Sequence, residues 1–226
     1  MLASIGVLLA AAAVATVPAP SDLARPRLQI QIQVEQDVAL DASDLRAIAS
    51  GIRAIWAPML DVVVTTPAAS APAAVDWIQL VITNRTLDNH DSTGLGWIGF
   101  VDGEPQPSVT VSFAAARRLA ESGEWLGAAL STLPPRATRL FFQRALAQAG
   151  AHEVGHYLLR SRDHTRRGLM RAAFTVEEIM DTRKSLNRLD PDAMAKLRIQ
   201  HAVARREGQG DRESGIANRE SELANR

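Results

Sequence analysis

Within thirty residues the chain changes its hydrophobic period, and that change limits the folds open to it. Leu28 to Val34 reads Leu, Gln, Ile, Gln, Ile, Gln, Val. Strict alternation with β-branched residues predicts a strand with one wet face. Ser43 to Trp56 instead places Leu45, Ile48, Ile52 and Ile55 at helical spacing, with Ser43 as the expected N-cap and Pro58 as the stop. A period-two segment followed by a period-3.6 segment excludes an all-helical bundle and an all-β sandwich.

The rest of the chain keeps mixing the two periods. Asp61 to Thr66 and Asp76 to Thr83 read as strands, separated by a Pro/Ala loop at Pro67 to Ala74. Leu95 to Val101 and Val109 to Phe113 flank Asp102-Gly103-Glu104-Pro105 and predict a hairpin. Ala114 to Leu130 is Ala-rich and expected to be helical. Pro134-Pro135 opens a long helix reaching about Leu159. Further on, Thr175 caps a short helix, and Asp190 and Pro191 start another that runs to about Ala204. The expected class is α+β: a mixed, twisted sheet, a long helix and a small helical part at the C-terminal end.

The ends are different in kind. Leu2 to Val17 is an apolar run too short to span a bilayer comfortably, ending in the small-x-small site Ala13-Val14-Ala15. Residues 1–19 are therefore expected to be a signal peptide or N-terminal anchor, and the protein to be exported: secreted, periplasmic or membrane-anchored. The folded domain is expected over 27–204. Residues 205–226 are polar and mixed in charge, and read as a disordered tail.

Composition narrows function. Twenty-five basic and twenty-five acidic residues give zero formal net charge, which argues against a nucleic-acid partner. With no cysteine, disulfides, thiolate zinc sites and cysteine nucleophiles are excluded. Any reactive centre must be built from histidine and carboxylate. There are five histidines, and His152, His156 and His164 fall close together.

His152-Glu153-Val154-Gly155-His156 is an H-E-x-x-H run at the end of the long expected helix. Histidines four apart lie one turn above the other on one helix face, so both imidazoles can meet one metal ion. Glu153 between them is placed to take a proton from a water on that metal and pass it to a leaving amine. His164, twelve residues after His152, is placed on a returning loop and is the expected third ligand of Zn²⁺.

The run resembles that of the metzincin clan of zinc metallopeptidases, which extend it to H-E-x-x-H-x-x-G-x-x-H/D and follow it with a methionine-bearing turn beneath the metal. The resemblance covers about residues 27 to 204. It implies a zincin-type fold, a peptide or protein substrate, and a Met-turn at Gly168-Leu169-Met170 with Met170 as its methionine. It also implies substrate lying extended along an edge strand. Leu95 to Val101 is the candidate, with Gly96, Trp97 and Gly99 as substrate-binding positions. The sequence departs from the family twice. Leu159 stands where the helix-ending glycine is expected, and Arg162 stands at the third-ligand position. The link is then two residues longer with His164 as ligand, and Asp163 is the competitor.

A second zinc architecture, that of the gluzincin group, takes its third ligand from a glutamate on a later helix. Glu177 or Glu178 would serve, with Asp181 behind a histidine. The plainer reading of these residues is an acidic first turn with Glu178 closing a capping box. His90 and His201 are expected to be solvent-facing, Trp56, Trp77, Trp97 and Trp125 to be core, and Tyr157 to be a packing residue. Asn84-Arg85-Thr86 matches the glycosylation triplet with nothing else to support it.

The expected activity is that of an exported zinc metalloendopeptidase, acting as a monomer and touching membrane only through its N-terminal segment. Two rivals stand beside it. One is a non-catalytic zinc-binding envelope protein, which requires a closed four-ligand site. The other is a metal-free structural domain.

Overall fold

A computed structural model of the chain describes residues 25–66, 77–86, 94–181 and 188–200. The expected N-terminal signal or anchor, the 205–226 tail, the loop at 67–74 and the loop carrying His90, as well as His201, lie outside the described residues.

The α+β expectation holds. The elements run β1 (Arg27–Val34), α1 (Ala42–Trp56), β2 (Asp61–Thr65), β3 (Trp77–Thr83), β4 (Gly96–Val101), β5 (Glu104–Ser112), α2 (Phe113–Ser122), β6 (Glu124–Trp125), β7 (Ala128–Ala129), α3 (Pro135–Leu159) and α4 (Val176–Met180). A final helix, α5, covers 191–200 of the described chain. Five strands form a mixed sheet in the order β2-β1-β3-β5-β4. The first four are parallel neighbours, and β4 closes the edge antiparallel to β5.

The alternation in β1 puts its apolar residues in the core, but the glutamine side is only partly wet, since Gln29 is buried and Gln31 half-buried. Leu28, Ile30 and Ile32 are buried, and they join Ile78, Leu80 and Ile82 of β3 in the core. On the glutamine side, Gln79 donates its amide to Gln33 at 2.6 Å. Helices α1 and α3 cover the apolar side, and two glycines set how closely. A Cβ on Gly150 of α3 would stand 2.6 Å from Leu80 Cδ1, and one on Gly51 of α1 would stand 2.7 Å from the Ala147 Cβ. The long helix therefore lies directly on the central strand.

Several expectations are corrected. Asp41, not Ser43, caps α1: its carboxylate accepts from the Ser43 and Asp44 backbone N–H groups, and Asp44 reaches back to complete a capping box. Strand β5 is nine residues long and starts straight after the turn, rather than at Val109. Pro105 and Pro107 disguise it, yet both fall in a stretch that pairs only with β4. Pairing with β3 begins at Ser108, so no ladder bond is lost. The hairpin turn has Asp102 at φ 51° and Gly103 at φ 84°, both left-handed, as a tight two-residue connection needs.

Helix α2 is shorter than the alanine run predicts. It stops at Ser122 because Gly123 turns extended, and a Cβ there would strike the backbone oxygen of Leu119 and the Val176 side chain of α4. A small β6–β7 hairpin follows. Of the four tryptophans, Trp56 is core, whereas Trp77 is 47% exposed on β3 and Trp97 and Trp125 are half-buried.

Candidate metal centre

Helix α3 is amphipathic only at its start. From Ala145 to His156 every residue is buried, so the H-E-x-x-H run sits inside the protein and not on its surface. His152, Glu153 and His156 are 6%, 5% and 5% exposed. The helix continues through Leu159 and ends when Arg160 takes the left-handed conformation, φ 47°, with its N–H on the carbonyls of His156 and Tyr157. The reversal thus falls one residue after Leu159, on a side chain that tolerates this conformation less well than glycine would.

The loop that follows brings His164 back over the helix. Its ring stacks on that of His152, with centroids 5.3 Å apart, and meets that of His156 edge-on at 4.9 Å. One nitrogen from each of His152, His156 and His164 lies within 4.8 Å of the others. Two of the three rings are buried and His164 is exposed.

The orientation of the two helix-borne rings is fixed by backbone. His152 Nδ1 lies 2.7 Å from the Leu169 carbonyl, and His156 Nδ1 lies 2.7 Å from the Ser161 carbonyl. A carbonyl oxygen can only accept, so each Nδ1 carries the proton and each Nε2 presents a lone pair. Those two Nε2 atoms face each other 3.0 Å apart. Two bare lone pairs at that distance repel unless a cation is shared between them. Bonds of about 2.0–2.1 Å, usual for Zn²⁺ to imidazole, span this separation. The three nitrogens could therefore hold a metal ion, and the Leu169 and Ser161 carbonyls already orient two of the rings. A soft-thiolate metal is excluded by the absence of cysteine.

Glu153 faces the edge strand. A Cβ on Gly96 would come within 2.9 Å of Glu153 Cγ and 3.1 Å of Glu153 Oε1, and within 2.7 Å of the Thr110 carbonyl. Glycine at the start of β4 is what lets the carboxylate stand against that strand. Gly99 is exposed at a register irregularity between Ile98 and Phe100, and Trp97 is half-buried.

Met170 is 1% exposed and lies under the motif. A Cβ on Gly155 would drive into the Met170 sulfur and meet Trp56 at 3.6 Å, so the glycine inside the run makes room for the methionine. The turn carrying Met170 is pinned at several points. Thr165 N–H donates to the Met170 carbonyl at 2.8 Å, and Leu169 N–H donates to the Arg188 carbonyl at 2.8 Å. Gly168 has φ 77°, and a side chain there would collide with the Arg188 carbonyl.

Two of the competing carboxylates, those of Asp163 and Glu178, are engaged elsewhere. The Asp163 carboxylate accepts from the Ser161 hydroxyl at 2.8 Å. Glu178 closes the capping box with Thr175 and pairs with Arg171, while Glu177 is exposed. Among the described residues, the three histidines form the one group that could hold a metal ion. Asn84 donates its amide to the Asp37 carbonyl at 2.6 Å.

Burial shifts the ionisable groups in opposite senses. Desolvation pulls His152 down to about 4, and it lowers His156 as well, so both rings are neutral at neutral pH, the form that can bind a metal. Desolvation pushes Glu153 up to about 8, so without a neighbouring cation the carboxyl keeps its proton. A divalent ion beside it reverses that preference.

Sequence reasoning missed three partners. The Leu169 and Ser161 carbonyls have no side-chain signature. Phe174, whose ring meets His152 edge-on at 5.8 Å, had no motif to announce it. Gly155 was legible in principle, since a glycine inside a helix costs about 1 kcal/mol and implies a close approach. No protein-family model matches the chain, and no curated protein matches it.

Proposed function

We propose that this chain is an exported zinc-dependent peptidase of metzincin type. The observation that carries the reading is the pair of Nε2 lone pairs held 3.0 Å apart by two Nδ1–carbonyl bonds, with His164 closing over them. Three neutral nitrogen ligands and no fourth His, Cys, Asp or Glu in the group, among the described residues, suit an open catalytic site better than a closed structural one. This weighs against the non-catalytic zinc-binding rival. The engagement of Glu178 by Thr175 and Arg171 likewise weighs against the gluzincin arrangement.

Each residue then has a role. His152, His156 and His164 hold the ion. When bound, it supplies Lewis acidity to a carbonyl and a water acidic enough to ionise near neutral pH. Glu153 accepts the water's proton and returns it to the departing amine. Met170 supports the helix from below through Gly155. The substrate pairs with the open side of β4, where main-chain hydrogen bonds orient the scissile peptide near Glu153, which Gly96 allows to stand against the strand. Export rests on the apolar run Leu2–Val17 and the small-residue site Ala13-Val14-Ala15 near its end.

The test is a peptide library offered to the zinc-loaded full chain and to its Glu153→Gln variant. Glu153→Gln should lower hydrolysis by about a hundredfold or more while keeping zinc, the range for loss of a general base. Equal hydrolysis by the two proteins would remove Glu153 from the mechanism.

A further inference from the structure

The segment from Arg160 to Arg171 is strongly basic in a chain of zero net charge. It reads RSRDHTRRGLMR, five arginines against one aspartate. Arg160 pairs with Glu104 of the β4–β5 hairpin, and Arg171 pairs with Glu178. Arg162, Arg166 and Arg167 are exposed and have no carboxylate partner among the described residues. Asp163, the one acid of the segment, is turned to Ser161.

The placement of Arg162 is specific. Its guanidinium lies over the Phe100 ring, 4.7 Å from the centroid, near the far end of β4. Together with Arg160–Glu104 this ties the loop that carries His164 to the edge strand. Stacking holds the stem of Arg162 in place and leaves its N–H edge free for a carboxylate. The hairpin's own acids do not neutralise it: Glu104 is taken by Arg160, and Asp102 sits at the exposed turn beyond.

We infer that Arg162 is a specificity-determining residue that selects substrates acidic on the N-terminal side of the scissile bond. The inference rests on the peptidase reading above. Gly96 lies against Glu153, and Phe100 is four residues further along β4, about 13 Å at the strand rise. A strand added antiparallel to β4, the slightly more stable pairing per residue, runs from the Val101 end towards Gly96. Its residues before the cleaved bond therefore pass Phe100, and the third or fourth of them reaches Arg162. Arg166 and Arg167 add to the positive field that draws an acidic chain in.

The test uses the zinc-loaded full chain and extended peptides that differ only in Glu, Gln or Lys at the third or fourth position before the cleaved bond. One exposed pair predicts a kcat/KM advantage of about threefold to fivefold for Glu over Gln. It should shrink at about 0.5 M salt, where screening is strong. Arg162→Glu should reverse the order in favour of the Lys peptide. The same peptides are titrated against the zinc-loaded Glu153→Gln variant, with and without Arg162→Glu, by fluorescence anisotropy. Cleavage without charge preference, or a preference unchanged by Arg162→Glu, overturns the inference. Charge-selective binding without cleavage by the wild type overturns the peptidase reading and keeps the acidic-peptide site. Absence of both overturns the two together.

Discussion

His152 and His156 stand on a buried helix, 6% and 5% exposed, each with its ring fixed by a carbonyl. His164 stands on an exposed loop, and the contacts described for its ring are those with the other two histidines. The helix half is built by spacing: four residues bring two rings into line, and close packing through Gly150 and Gly155 holds them. The loop half is built by pinning, through the left-handed turn at Arg160 and the backbone bonds of Thr165 and Leu169. The helix half should therefore be stiff and intolerant, and the loop half adaptable in length. The link to His164, two residues longer than in the metzincin pattern the motif resembles, falls in the half that can absorb such a change.

The largest effects should come from the helix half. His152→Ala or His156→Ala removes a preoriented ligand and should weaken zinc by more than the tenfold to hundredfold typical of an outer partner. Competition against a chelating dye measures it. In the wild type, zinc at about a hundred times its Kd should raise stability by about 2.7 kcal/mol. Chelator should lower Tm by several degrees, and neither alanine variant should respond. His164→Ala should come next: reduced affinity with residual binding by the helix pair. If His164→Ala costs as much as His156→Ala, the distinction between the halves fails.

Gly155→Ala tests packing instead of ligation. Its Cβ must displace Met170 and should cost about 1–3 kcal/mol as overpacking, despite the better helix propensity of alanine. A thermal melt checks it, and a second change, Met170→Ala, should recover part of the loss.

The pH response of the metal-free protein sharpens the contrast further. The folded pKa of Glu153 is raised to about 8 from 4.5, so its neutral form favours folding below 4.5 and that contribution is lost as pH rises towards 8. The folded pKa of His152 is lowered to about 4 from 6.5, so its contribution is present above 6.5 and lost as pH falls towards 4. With chelator present, Glu153→Gln should therefore gain stability over the wild type between pH 5 and pH 8, on the order of 4 kcal/mol at most, three pH units at about 1.4 kcal/mol each. Urea melts across that range measure it, and an unchanged difference would refute the burial argument. The smallest effect is expected from Asp163→Ala. Its carboxylate is bonded to Ser161 and reaches His156 only as an exposed, screened charge, so zinc affinity should change by about twofold or less.

Much of this was legible in the residues. Period two marked β1, period 3.6 marked α1, and Pro134-Pro135 marked the start of α3. The spacing of His152 and His156 foretold their juxtaposition. Strand β5 was only partly legible, because Pro105 and Pro107 argue against a strand unless one knows that their open side has no partner. The end of α2 was hidden because alanines carry no stop, and the stop depends on a distant contact between Gly123 and Val176. Asp41 and Ser43 are both good capping residues two places apart, and only the backbone geometry separates them. In the site, the side-chain ligands could be listed from sequence, but the carbonyls that orient them could not. Any residue supplies a carbonyl, so Leu169 and Ser161 are chosen by the path of the chain.

The central claim is that His152, His156 and His164 hold one zinc ion in an open site served by Glu153. The direct measurement is zinc content after reconstitution and desalting of the full chain, its Glu153→Gln variant and its His156→Ala variant. One zinc per chain in the first two and little in the third is the predicted result. A wild-type chain that retains no zinc, or a His156→Ala chain that retains as much as the wild type, would contradict it.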